Sequence, residues 1–115
     1  MNTSETKIEF GFGIGLDRDG ARLPRAYVKN ALVLIESAIL KHFNGATFIP
    51  TRGTWQSPTG RIYQEQGMTA LVLTCRPWRA EQTQDAIKAV ADAIKTVLRQ
   101  EAVAVTVTPV EFFML

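Results

Sequence analysis

The sequence predicts an α+β domain in which a four-stranded antiparallel sheet carries two helices on one face. Three observations predict it: period-two alternation in the strands, helical spacing of apolar residues in two longer segments, and the positions of the strand prolines. A chain of 115 residues with 46% hydrophobic side chains has the size and apolar content of one core. The expected organisation is a disordered terminus over 1–6 followed by one ligand-binding domain over 7–115.

Between Lys7 and Leu16, Ile8, Phe10, Phe12, Ile14 and Leu16 alternate with Glu9, Gly11, Gly13 and Gly15, the pattern of a half-buried strand. Pro24 suits the first turn of a helix running to about Phe43. A step of about 100° per residue places Val28, Ala31, Leu32, Ile35, Ala38, Ile39 and His42 on its buried side. Val33 and Leu40 fall on the opposite side, where a lone subunit would carry polar residues, so a covering partner is expected. Asn44-Gly45 stops the helix, and Thr47 to Gln56 reads as a second strand interrupted by Pro50 and Gly53.

Ser57-Pro58-Thr59-Gly60 reads as a β-turn leading into a return strand, Arg61 to Cys75, with a bulge at Gly67. Arg76-Pro77-Trp78-Arg79 breaks that strand. A second helix from about Ala80 to Arg99 buries Ile87, Val90, Ala91, Ile94, Val97 and Leu98 and keeps Asp85, Lys88, Asp92 and Lys95 wet. The last strand runs from Ala102 to about Val110 with Val103, Val105 and Val107 inward, and the chain closes on the apolar Phe112 to Leu115. The order βαββαβ packs most economically as a split βαβ, ferredoxin-like sandwich with the first and third strands in the middle. Pro50 and Pro109 then fall on the two edge strands, where a missing ladder donor is tolerated.

Composition narrows the function classes. Thirteen Lys and Arg against eleven Asp and Glu give a net charge of +2, well short of the basic excess a nucleic-acid polymer requires. The terminus has no signal-peptide h-region and no apolar run reaches a membrane span, so a cytoplasmic location is expected. One cysteine and one histidine do not make a metal cluster or a nucleophile–base pair, and neither a metal nor a cofactor nor catalysis is expected. Cys75, inside an apolar run, reads as a buried thiol, and His42 as a structural residue at a helix C-terminus. The glycines at 11, 13 and 15 alternate within a strand and do not open a helix, which excludes a phosphate loop; they leave a bare strip that a partner sheet can approach.

Arginine placement carries the ligand-binding expectation. The split βαβ topology gathers Arg18, Arg22, Arg25, Arg61 and Arg99 at one end of the sheet. Arg76, Trp78 and Arg79 stand at the other end beside a helix N-terminus, where an indole stacks a base and guanidinium groups hold phosphate. The same tetrapeptide also reads simply as a strand breaker and helix cap. Glu65 faces either a pocket shared with Trp55 of the paired strand or solvent, and Arg52 joins the candidate ligand set.

Gly13-Ile14-Gly15-Leu16-Asp17, Gly20, Asn44-Gly45-Ala46-Thr47, Gly53-Thr54-Trp55, Gly60 and Glu65 together resemble the phage anti-Thoeris sponges of the first type. The resemblance implies sequestration, without cleavage, of glycocyclic ADP-ribose signals made by bacterial TIR immune enzymes, and for some members hexamers that also hold cyclic oligonucleotides. A second resemblance is to a family of small uncharacterised bacterial domains, often exported, with a Gly-x-Trp pattern and a Gln-Glu-x-Val run, here Gln100-Glu101-Ala102-Val103. The N-terminal Gly-Ile-Gly-Leu-Asp favours the sponge. The expectation is a homo-oligomer that binds a small nucleotide-like signal; the alternative is a protein–protein interaction or structural domain with no small-molecule ligand.

Overall fold

In the computed structural model, which describes residues 6–113 and 115, the alternation of large apolar residues with glycine from Thr6 becomes a central strand. The elements in chain order are β1 (Thr6–Gly13), α1 (Arg25–His42), β2 (Thr47–Gln56), β3 (Ile62–Thr74), α2 (Glu81–Leu98) and β4 (Ala104–Pro109). The sheet order is β2-β3-β1-β4 and each neighbouring pair is antiparallel. This is the split βαβ architecture expected from the sequence, with Pro50 and Pro109 on the two edges. Residues 1–5, most of the terminus expected to be disordered, lie outside the described residues, as does Met114 of the apolar tail. Thr6 belongs to β1, where it is buried and donates its hydroxyl to the Arg76 carbonyl at 2.9 Å.

Strand pairing aligns Ile8, Phe10 and Phe12 of β1 with Val72, Ala70 and Met68 of β3, so one face of the sheet is apolar and packs beneath the helices. The core joins Ile8 and Phe10 to Ile35 and Ile39 of α1 and Val90, Ile94 and Leu98 of α2. Each such fully buried aliphatic side chain contributes roughly 1.5–3 kcal/mol relative to exposure. Tyr27 of α1 donates its hydroxyl to the Val97 carbonyl, and the Arg99 guanidinium lies 5.6 Å from the Tyr27 ring centroid, which ties the start of α1 to the end of α2. Arg99 closes α2 in the left-handed conformation at φ 52°. On the wet face of α2, Lys88 donates to Asp92 at 2.7 Å and holds that carboxyl below its ordinary pKa.

Several expectations are corrected. Register is continuous through Gly67, which pairs with both Gly13 and Thr51, so there is no bulge; the glycine is there because a Cβ would lie 3.0 Å from the Phe12 carbonyl oxygen and 2.7 Å from Thr51 Oγ1. Pro50 and Gly53 do not interrupt β2, because an edge strand needs only half of its backbone groups for pairing. Cys75 is exposed: β3 ends at Thr74, and the alternation that buries Ala70 and Val72 puts the odd positions on the side away from the helices. β4 is also shorter at both ends than expected, and β1 stops at Gly13, where the chain turns into the loop described next.

A cleft at the end of the central strand

The loop from Ile14 to Pro24 is ordered by its own backbone. Asp17 accepts the N–H groups of Asp19 and Ala21 on Oδ1, each at 2.9 Å, and Gly20 supplies the positive φ of +81° that the turn requires. Leu16 bridges Arg22, and the Leu23 N–H donates to the Gly15 carbonyl at 2.9 Å. The loop is anchored to the end of α2: the Arg18 N–H donates to the Arg99 carbonyl at 2.8 Å, and Gln100 Nε2 donates to the Leu16 carbonyl at 2.8 Å. Gly13 lets Gln100 lie close, since a Cβ there would be 3.1 Å from Oε1.

The opposite wall is the β2–β3 hairpin. Beyond the Gly13–Gly67 pair the β1–β3 ladder has ended and the Ile14 N–H donates to the Gln66 carbonyl at 3.0 Å, so the hairpin runs on as a two-stranded arm. Its tip is the expected turn, closed by the Gly60 N–H on the Ser57 carbonyl at 2.9 Å. Trp55 and Tyr63 are cross-strand partners, and their rings stack with centroids 4.3 Å apart and planes 13° from parallel. The Arg61 guanidinium lies over the same tyrosine ring, 5.0 Å from its centroid. The indole of this stack is 48% exposed.

Between loop and arm lies an open cleft of about 1070 Å³. Arg18, Arg22 and Arg25 line it together with Asp17, Glu65 and Glu101, so its formal charges balance, and Trp55, Tyr63, Gln64, Gln66 and Gln100 complete the polar and aromatic lining. The N-terminus of α1 opens here: its N-cap is Pro24 without a side-chain cap, and its first turn holds no acidic residue. Uncapped N–H groups and a guanidinium at the positive end of a helix favour an anion.

Of the residues expected to bind ligand, Arg22, Arg25, Trp55 and Glu65 are brought together here. Arg52 stands on the arm and donates to Gln64 Oε1 at 2.5 Å, outside the lining. Arg76, Trp78 and Arg79 sit at the other end of β1, where Trp78 is half-buried and the Arg79 guanidinium lies 5.1 Å from its ring centroid. Tyr63 and Gln100 are cleft residues that the sequence reading passed over. Tyr63 was recoverable, because the turn around Thr59 sets it directly opposite Trp55; Gln100 stood out only as the start of the Gln-Glu-x-Val run, which did not point to a cleft. Among the described residues no group of three or more His, Cys, Asp or Glu side chains could hold a metal ion, and no helix is long and apolar enough to cross a membrane.

The fold and cleft place the chain among two-layer ferredoxin-like α+β domains with an open groove at one end of the sheet. Within that class it belongs to the family described as Protein of unknown function (DUF3574), which matches residues 25–113. Among solved structures it is similar to a phage SAM lyase in complex with S-methyl-5'-thioadenosine, with a TM-score of 0.64 and 14% identity over 95% of this chain and 84% of that one. The same enzyme in its apo state gives a TM-score of 0.63 at 15% identity, over 92% of this chain and 81% of that one. The periplasmic divalent cation tolerance protein CutA from Archaeoglobus fulgidus gives 0.54 at 12% identity, over 96% and 87%. These likenesses establish the shared fold and nothing of the chemistry. No curated protein matches the chain.

Proposed function

We propose that the chain binds a nucleotide-derived small molecule in this cleft and holds it without cleaving it. The observation that carries the reading is one cleft lined both by an exposed indole stacked on Tyr63 and by Arg18, Arg22 and Arg25 beside the uncapped start of α1. A base stacked on an aromatic ring gains about 1–3 kcal/mol, and guanidinium groups with helix N–H donors suit phosphate. A phage SAM lyase of the same fold is known in complex with the nucleoside S-methyl-5'-thioadenosine, the class of ligand proposed for this cleft. With the sponge resemblance, these features favour a cyclic ADP-ribose type of signal, captured in the cytoplasm by a homo-oligomer. A protein–protein interaction domain is the second reading, favoured by the exposed Val33, Leu34 and Leu40 on α1.

Calorimetry with cyclic ADP-ribose, ADP-ribose and S-methyl-5'-thioadenosine tests the proposal. Binding of at least one is expected, weakened about 5- to 150-fold by Trp55→Ala and also by Arg22→Ala. After heat denaturation, mass spectrometry should return the ligand intact. Absence of binding to all three would leave the interaction-domain reading in its place, and a released product in place of ligand would make the chain an enzyme.

A further inference from the structure

The arm's register sets out an unfilled position beside Trp55. On the face of the ribbon that carries Trp55 and Tyr63, the next cross-strand pair is Gly53 with Glu65, and the one after is Thr51 with Gly67. Glu65 is therefore the diagonal neighbour of Trp55, about 7–8 Å away along the ribbon. Glycine occupies the position directly across from Glu65 and the next one along its own strand on that face. A Cβ at Gly53 would meet nothing within 4 Å, so the space is open. Gly15, which also lines the cleft, has the same open surroundings. Glu65 takes no part in the ion pairs found among the described residues, Lys7–Glu9, Lys88–Asp92 and Lys95–Asp92. The ribbon face that carries Trp55 therefore holds an open position at Gly53 and, diagonally from the indole, the Glu65 carboxylate.

We propose that Glu65 is the specificity-determining residue of the cleft and accepts an adjacent pair of hydrogen-bond donors from a nucleoside stacked on Trp55. The assignment rests on the binding function proposed above. An ionised carboxylate offers two oxygens and no donor, so it selects groups that present two donors side by side. A nucleoside presents such a pair in two places: the N1–H and N2–H edge of guanine, and the 2′- and 3′-hydroxyls of ribose. Adenine has one donor next to an acceptor nitrogen on the equivalent edge, which the carboxylate repels.

Titration calorimetry on the full chain with guanosine, inosine, adenosine and 2′,3′-dideoxyadenosine 5′-monophosphates tests this. Reading of the base edge gives a preference of about tenfold or more for the guanosine nucleotide over the inosine and adenosine ones, as expected for a charge-assisted hydrogen bond. Reading of the ribose gives equal binding of the first three and a loss of about tenfold or more for the dideoxy nucleotide. In either case Glu65→Gln, which keeps the shape and exchanges an acceptor for a donor, abolishes the preference, while Trp55→Ala weakens every ligand alike. Equal binding of all four nucleotides, or a preference that survives Glu65→Gln, overturns the role of Glu65 and leaves the cleft as a nucleotide site. Failure of all four nucleotides and of cyclic ADP-ribose to bind overturns both.

Discussion

Gly67 sits where two strands press on one residue, and only one of the two contacts can yield. The Thr51 hydroxyl is on an exposed edge strand and can rotate, whereas the Phe12 carbonyl belongs to the β1–β3 ladder. Gly67→Ala is expected to destabilise the fold by about 1–3 kcal/mol, seen as a lower urea midpoint. Gly53→Ala, into open space on the same ribbon, should stay within about 0.5 kcal/mol of the parent. Equal midpoints for the two variants would mean that the central ladder is more pliant than its register implies. Thr83 presents the converse case: it is fully buried near the start of α2, and its Oγ1 has no hydrogen-bond partner. Replacing that hydroxyl by a methyl in Thr83→Val removes an uncompensated desolvation cost and should raise stability by about 1 kcal/mol. A loss of stability would show that the hydroxyl has a partner in solution.

The elements differ in how much of the fold supports them. The arm beyond Gly67 is a two-stranded ribbon without a helix over it, and such ribbons are marginal by themselves in water. Its backbone amides, such as those of Gln56 and Tyr63, should therefore exchange with solvent faster than those of Ala70 and Val72 in the same strand system. Uniform protection along β3 would show that something else braces the arm. The contrast also explains what was legible in the sequence. Element order, central and edge strands and both buried helix stripes follow from local periodicity and from two prolines, all readable along the chain. The meaning of Gly67 was not, because a strand glycine marks either a bulge or a close approach, and the atoms that decide, Thr51 Oγ1 and the Phe12 carbonyl oxygen, are distant in sequence. The cleft was legible where topology alone assembles it, as with Arg22 and Arg25. Arg76-Pro77-Trp78-Arg79 had the stronger local signature yet stands apart from it, because the motif's chemistry was local and the cleft comes from the loop and arm meeting at the other end of the sheet.

At the scale of the whole molecule, extent and apolar surface point the same way. The chain measures 48 × 30 × 29 Å with a radius of gyration of 15.2 Å, against about 13 Å for a compact domain of this size. The arm lengthens the molecule, because β2 and β3 run on past the Gly13–Gly67 pair where the β1–β3 ladder ends. The outer face of α1 leaves Val33 at 60%, Leu34 at 58% and Leu40 at 52% exposure, and the sheet face away from the helices exposes Ile49 and Leu73 as well. Scattered apolar residues are ordinary on a surface, but Val33 and Leu40 are spaced by two helical turns and share one side of α1, where no element covers them among the described residues. A second copy of the chain burying that stripe would gain from each aliphatic side chain roughly what a core position gains. The proposed homo-oligomer therefore predicts a light-scattering mass that is a multiple of 12.8 kDa. Val33→Glu with Leu40→Glu should return the mass to that of one chain with unchanged circular dichroism, because both positions are outside the core. A parent protein of single-chain mass at high micromolar concentration would refute the oligomer, and an assembly that persists in the double variant would move its interface from α1 to the exposed face of the sheet.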